Sequence, residues 1–255
     1  MDRKLLSIII PCYNEEKTVE TIYATVTDVM TNGQCDYEIL FVDDGSKDYT
    51  EQKVCGLAQK DRHVKYYSFS RNFGKEAAIY AGLNNARGDY VVIMDADMQD
   101  PPALLPEMIS TLESGEYDSV ATRRVSRKGE PMVRSFCARC FYKLIRRISD
   151  ADIVDGARDF RMMKRDMVNA ILSMPEYNRF TKGIFGWVGF KTKWIEFENV
   201  ERAAGETKWS FWKLFRYALE GIIAFSTVPL TIVSLIGVVV CIIAFLFLLF
   251  VVIRA

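Results

Sequence analysis

Histidine is almost absent: His63 is the only one in 255 residues, which excludes a metal centre built from several imidazoles. Cysteine is sparse and scattered, at Cys12, Cys35, Cys55, Cys137, Cys140 and Cys241. With no secretory signal in the charged start Met1-Asp2-Arg3-Lys4, a reducing cytosol is expected rather than a disulfide scaffold. Cys137 and Cys140 form one CxxC without a second pair or histidines, too little for zinc. Net charge is missing too. The 33 basic residues cancel 33 acidic ones, so no global basic field awaits a nucleic acid, and a polyanionic ligand has to be held locally. Neither a GxGxxG turn nor a GxxxxGK[ST] loop occurs, which removes dinucleotide oxidoreductases and P-loop NTPases. With 50% apolar residues the chain is neither disordered nor fibrous and can fill a core.

Charged residues vanish from Gly221 to Ile253. As a helix, Leu230 to Ile253 would extend about 36 Å, against about 30 Å of bilayer hydrocarbon, so residues 229–255 are expected to form a membrane anchor. An unusually apolar core helix is the other structure such a run can adopt. Pro229 suits the first helical turn, where its missing N–H costs little. Upstream, Trp209, Trp212, Phe215, Leu219 and Ile222 recur at helical spacing while Lys213, Arg216 and Glu220 share another face. Residues 209–228 thus read as an amphipathic helix in the membrane interface, or as one packed on the soluble part. Lys213 and Arg216 on the amino-terminal side of the span favour a cytoplasmic location for residues 1–208. The end at Ala255 leaves room for a second span beyond it.

The first 125 residues have another rhythm. Short β-rich apolar runs occur at 5–10, 37–42, 64–69, 90–94 and 118–122, separated by polar or helical stretches. Runs such as Ser7-Ile8-Ile9-Ile10 and Val91-Val92-Ile93-Met94 are continuously apolar, as in parallel strands covered on both faces by helices. The expected fold is α/β, a mostly parallel, doubly wound sheet in which ligands bind beyond the carboxyl ends of the strands.

Carboxylates cluster at two of those exits. Asp43-Asp44-Gly45-Ser46 follows the second run, and Asp95-Ala96-Asp97-Met98-Gln99-Asp100-Pro101-Pro102 follows the fourth. A DxD triplet alone says little, since Asp150-Ala151-Asp152 repeats it without a preceding strand. If Asp95 to Gln99 continues extended, Asp95, Asp97 and Gln99 point to one side. Such an all-oxygen set suits Mg²⁺ or Mn²⁺, which can bridge to a diphosphate. The alternative is a set of carboxylates capping a helix that starts near Pro101-Pro102. Likewise Asp44-Gly45-Ser46 can be only a tight turn and a cap.

Ile10-Pro11-Cys12-Tyr13-Asn14-Glu15, Val42-Asp43-Asp44-Gly45-Ser46 and Met94-Asp95-Ala96-Asp97-Met98-Gln99 resemble, in order and spacing, the family-2 inverting glycosyltransferases of GT-A fold. Further segments narrow the resemblance: Asp159-Phe160-Arg161-Met162-Met163, Arg179-Phe180-Thr181-Lys182-Gly183 with Trp187-Val188-Gly189-Phe190, and Arg202-Ala203-Ala204-Gly205-Glu206-Thr207-Lys208. They are similar to the polyprenyl-phosphate branch, which holds dolichol-phosphate mannose synthase and the bactoprenol glucosyltransferases. None of Gln34, Gln52, Gln59 or Gln99 begins the QxxRW motif of processive synthases, so a single sugar transfer is favoured.

The resemblance implies a metal-dependent hexosyltransferase that passes a sugar from a nucleotide donor, UDP-glucose first and GDP-mannose next, to a polyprenyl phosphate with inversion. It implies that Pro11, Tyr13, Glu15, Asp43 and Asp95 hold the nucleotide and that Asp95, Asp97 and Gln99 hold Mg²⁺ or Mn²⁺. Arg123, Arg134 and Arg202 would serve the reaction, with Arg134, Arg202 and Lys208 on the acceptor phosphate, where guanidinium forks orient oxyanions. Arg124, Arg127 and Lys128 can equally be surface charge. Asp159 matches the position of the proposed catalytic base; because a phosphate monoester is largely dianionic at pH 7, an orienting role is expected instead, with a base or a structural partner of Arg158 or Arg161 as alternatives. The implied partners are donor, lipid acceptor and bilayer, with no nucleic acid and with homo-oligomers left open. A transferase acting on a non-lipid sugar or protein acceptor and a non-catalytic membrane-recruitment module are the competing classes.

Overall fold

The computed structural model describes residues 3–31, 33, 35–124, 147, 154, 156–176, 179–197 and 211–254. Its strands are β1 (Leu5–Cys12), β2 (Asp36–Asp43), β3 (Val64–Ser68), β4 (Tyr90–Ile93), β5 (Ser119–Arg124), β6 (Ala157–Lys164) and β7 (Thr192–Phe197). They form one sheet in the order β3-β2-β1-β4-β6-β5-β7. β1 pairs in parallel with β2 and β4, β2 with β3, and β5 with β7. β6 runs antiparallel between β4 and β5, a reversal that the apolar runs do not announce.

Helices cover both faces, which is why Ile8, Ile9 and Ile10 of β1 and all of β4 are apolar. Ile8 and Ile10 of β1 face α1 (Val19–Thr31), whose Val19, Ile22, Val26 and Met30 recur every three to four residues and are all buried. α2 (Thr50–Lys60) and α4 (Leu105–Glu113), the latter entered through a 3-10 turn at Pro102–Leu104, lie on the same side. Ile9, between Ile8 and Ile10, points the other way, toward α3 (Lys75–Asn85) and α5 (Arg165–Leu172). Each fully buried Ile or Leu here contributes about 1.5–3 kcal/mol. The approach of α3 to β1 is close enough that a Cβ on Gly82 would stand 2.3 Å from Cγ2 of Ile9, so only glycine fits.

α6 (Thr181–Trp187), α7 (Phe211–Ala224) and α8 (Val228–Arg254) complete the described elements. α8 is 27 residues long, with mean hydropathy 3.5 in its most apolar window and no part of that window buried. An apolar core helix would be buried; this one is long and apolar enough to cross a membrane. Pro229 stands in its first turn. α7 touches the sheet domain at one end: Gly221 is buried against the Phe180 ring, while Leu219 and Ile223 stay exposed. Phe225, between α7 and α8, packs on Phe180 and Trp187 and closes over Gly183 of α6, where a Cβ would meet the Phe225 ring at 2.4 Å.

Candidate active site

The reversal of β6 builds the site. Its first residues lie on the edge where the parallel strands end, and the pairing of Ile93 with Arg161 brings Asp159 level with the residues just past β4. There Asp95 and Asp159 face one ammonium: Nζ of Lys75 lies 2.6 Å from Oδ1 of Asp95 and 2.5 Å from Oδ2 of Asp159. Lys182, in the first turn of α6, approaches Asp159 at 3.8 Å from the other side and donates to the Ala157 carbonyl at 3.1 Å. Burial opposes ionisation of Asp159, but Lys75 and Lys182 outweigh it and hold the carboxyl well below the usual carboxylate range. Burial likewise lowers the Lys75 pKa, and Asp159 and Asp95 more than reverse it, so the ammonium is held charged. The pairing considered for Asp159 with Arg158 or Arg161 is thus replaced by a pairing with two lysines.

Lys75 reaches this point because of what precedes it. Asp44, buried at the end of β2, accepts N–H bonds from Phe73 at 2.7 Å and Gly74 at 2.9 Å. Gly74 then takes a φ of 100°, which a side chain would resist, and Lys75 opens α3. Asp44 is therefore more than a turn residue: it shapes the loop that presents the lysine. Burial pushes its carboxyl up against those two bonds.

The segment from Asp95 to Gln99 does not continue extended. Asp100, fully buried, accepts the Asp95 N–H at 3.0 Å, and Asp97 Oδ1 accepts the Gln99 N–H at 3.1 Å. With Met98 at φ 62°, the triplet folds into a turn, so alternation along a strand is not what gathers these oxygens. Arg158 fastens the turn to β6 through Asp100 at 3.2 Å and the Gln99 side-chain oxygen at 3.4 Å. Among the described residues no three His, Cys, Asp or Glu side chains are grouped closely enough to form a metal centre by themselves; Asp95, Asp97 and Gln99 offer two carboxylates and an amide oxygen.

The expected nucleotide residues line the neighbouring exits. Pro11 pairs with Val42 and Cys12 with Asp43 across β1 and β2. Backbone N–H groups of Asn14 and Glu15 are fixed by the hydroxyls of Ser46 at 2.9 Å and Thr50 at 2.7 Å, and Asn14 adopts φ 52°. This fixes the loop that carries Tyr13 and Glu15 against the turn after Asp43, and the Glu15 carboxylate accepts from the Thr18 hydroxyl at 3.0 Å. The buried Asp43 carboxylate accepts from the Ser46 N–H at 3.3 Å and from its hydroxyl, and from the Ser68 hydroxyl at 3.4 Å, so it also closes its own turn. Arg123 is engaged by Glu196 on β7, on the same edge but in a separate ion pair. Arg134, Arg202, Lys208, Asp150 and Asp152 lie outside the described residues.

The sequence does not single out Lys75; Lys182 and Asp100 stand within its motifs without a role of their own, and Arg158 enters only as an alternative partner of Asp159. Lys75 follows the third strand at its carboxyl end, so the rule that directs attention to strand exits applies to it as much as to Asp43 or Asp95.

Residues 7–172 match the family model described as Glycosyl transferase family 2. The chain is 43% identical over 242 residues to a protein of Escherichia coli K12 described as a prophage bactoprenol glucosyl transferase homolog, covering 95% of this chain and 79% of that one. It is 47% identical over 230 residues to the putative glycosyltransferase CsbB of Bacillus subtilis, covering 90% and 69%. In fold it is similar to glucosyl-3-phosphoglycerate synthase from Mycobacterium tuberculosis, crystallised with Mn²⁺, UDP-glucose and phosphoglyceric acid, at a TM-score of 0.58 and 19% identity over 86% of this chain and 77% of the other.

Proposed function

The chain belongs to glycosyl transferase family 2, and on that premise we propose that it transfers glucose from UDP-glucose to a membrane polyprenyl phosphate. In one in-line displacement the bond from the sugar C1 to the β-phosphate oxygen breaks, a bond from C1 to an acceptor phosphate oxygen forms on the opposite face, and UDP leaves. No proton needs to be removed from the acceptor, since a phosphate monoester is largely dianionic at neutral pH.

The observation that carries this reading is the junction of a carboxylate and lysine cluster with an apolar helix. α6 supplies Lys182 to the cluster and packs through Gly183 on Phe225, three residues before α8. A site so close to the anchor suits an acceptor whose phosphate rests at a membrane surface. The names of the relatives support bactoprenol as that acceptor and glucose as the sugar, with the sheet domain on the cytoplasmic side, where nucleotide sugars are found.

In this scheme Pro11, Tyr13, Glu15 and Asp43 hold the nucleoside. The oxygens of Asp95, Asp97 and Gln99 fit a hard divalent cation by donor type and would hold Mg²⁺ or Mn²⁺, which when bound neutralises diphosphate charge. Lys75 keeps Asp95 and Asp159 from repelling each other and offers its ammonium to the departing diphosphate. Asp159, held ionised, orients Lys75 and Lys182 rather than accepting a proton. Arg123, Arg134, Arg202 and Lys208 supply positive charge for the two phosphate-bearing substrates.

Incubating membranes that carry the protein with separate UDP- and GDP-sugars and undecaprenyl phosphate, then weighing the lipid product, tests the proposal. Hexosyl-phosphoryl-undecaprenol from UDP-glucose is the expected product. Formation from GDP-mannose alone overturns the donor, and a product only on a non-lipid acceptor overturns the acceptor.

A further inference from the structure

A cavity of about 230 Å³ lies between α6, β6 and β7 and shares Lys182 with the Asp159 cluster. It is lined by Phe185, Phe190 and Trp194 and by three cations, Arg158, Arg161 and Lys182. Two of those cations have carboxylates: Arg158 pairs with Asp100 at 3.2 Å, and Lys182 faces Asp159 at 3.8 Å. Arg161 does not. Asp159, one pleat away on the same face of β6, is taken by Lys75, and no carboxylate stands within ion-pair distance of Arg161 among the described residues.

Arg161 is 4% exposed. One nitrogen donates to the hydroxyls of Ser119 and Thr192, each at 3.2 Å, and its buried Nε has no acceptor. The guanidinium lies 4.5 Å from the Phe185 ring centre and 5.3 Å from that of Trp194. Those ring faces attract a cation but give its Nε no oxygen acceptor. Burial pushes this guanidinium down to about 10, so it is still charged at neutral pH. A buried charge without a counter-ion is costly and calls for an anion.

We propose that this cavity is a phosphate-monoester site, with Arg161 as its guanidinium fork, Lys182 as its second cation, and the aromatic walls seating the carbon chain beyond the ester oxygen. A dianionic phosphate supplies the oxygens that Nε lacks, and apolar walls favour an alkyl or isoprenyl ester over a sugar phosphate. The same chemistry is offered by the head of a membrane lipid phosphate and by free phosphate. Only the lipid source rests on the proposed transfer; the site itself does not.

Titrating the full chain in lipid nanodiscs with farnesyl phosphate, and separately with inorganic phosphate, in the absence of any sugar donor and with ³¹P resonance as the readout, tests the site. Farnesyl phosphate is expected to bind saturably. Arg161→Met should weaken it by about tenfold or more, as loss of a charge-assisted fork does, with UDP affinity unchanged. Should Arg161→Met also lose UDP, and so have misfolded, Arg161→Lys decides: a weakening of several-fold supports the fork, and unchanged affinity overturns it. Competition by millimolar inorganic phosphate identifies a site for phosphate itself, and absence of competition identifies the lipid head group. No binding of either probe to the wild type, or equal binding to wild type and both variants, overturns the proposal. Because no transfer is measured, failure of the UDP-glucose reaction leaves this result intact.

Discussion

Glu76 accepts both the backbone N–H of Thr181, at 3.0 Å, and its hydroxyl, fastening the first turn of α3 to the first turn of α6. The next residue back on α3, Lys75, and the next forward on α6, Lys182, meet at Asp159. Two adjacent pairs thus lock the helices so that two ammonium groups flank one carboxylate.

Thr181→Val removes the hydroxyl and leaves the Glu76 carboxylate with one donor fewer, the Thr181 N–H remaining. It should lower stability by about 1–2 kcal/mol and reduce turnover through the displaced Lys182. Chemical denaturation and transfer rates measured side by side check this; turnover that survives a measured loss of stability would uncouple the lock from the site.

Lys75→Met leaves Asp95 facing Asp159 with no cation between them. Transfer should fall about a hundredfold, the scale for removing one preorganised electrostatic donor, while Lys75→Arg retains part of it. Initial rates with saturating donor distinguish this from weak binding.

Asp159 is held ionised far below neutral pH by Lys75 and Lys182, so its protonation does not change between about pH 6 and about pH 9. Asp159→Asn should therefore cost activity by a factor that is flat across that range. A loss that recovers as pH rises, when the acceptor completes its own ionisation, would restore the base role.

Chelation by EDTA should stop transfer, and Mg²⁺ or Mn²⁺ should restore it. Asp97→Ala should not be rescued, since it deletes a donor and also the acceptor of the Gln99 N–H. Full activity in chelator removes the cation from the scheme.

Glu38 gives a test of stability far from the site. Burial pushes its carboxyl up, but Lys65 at 2.7 Å, the Ser7 hydroxyl at 2.6 Å and the Arg87 N–H at 2.9 Å hold it below its ordinary value. Because the folded value is the lower one, this stabilisation is complete above the unfolded value of about 4.3 and fades as pH falls through the folded value. Glu38→Gln should be less stable by about 1–3 kcal/mol at neutral pH, with the gap closing under acid. Thermal unfolding of both proteins from neutral to about pH 3 reads it; a gap that widens on acidification contradicts the assignment.

The parallel strands were legible because a strand buried on both faces must be continuously apolar, as Ile8-Ile9-Ile10 and Val91-Val92-Ile93 are. α8 was legible because its apolar run, unbroken by charge, is longer than any strand. The turn at Asp97 was not, because Asp100 and Asp97 fold it back through side-chain bonds to backbone N–H groups that leave no periodic signal. β6 escaped notice because Arg158, Asp159 and Arg161 interrupt its apolar pattern, each drawn to a different partner in three dimensions. Lys75 is one ordinary lysine in sequence and becomes distinctive only when an antiparallel strand brings Asp159 beside Asp95.

Gly183 has no side chain, and the Phe225 ring fills the place where one would be. The same turn of helix thus carries Lys182 and receives the ring that leads into α8, so under the proposed function a single contact ties the catalytic edge to the helix that would enter the bilayer. If α8 spans the bilayer as proposed, that one ring sets the height of Lys182 above the membrane, and selection among phosphorylated molecules would begin with altitude before any contact with the sugar.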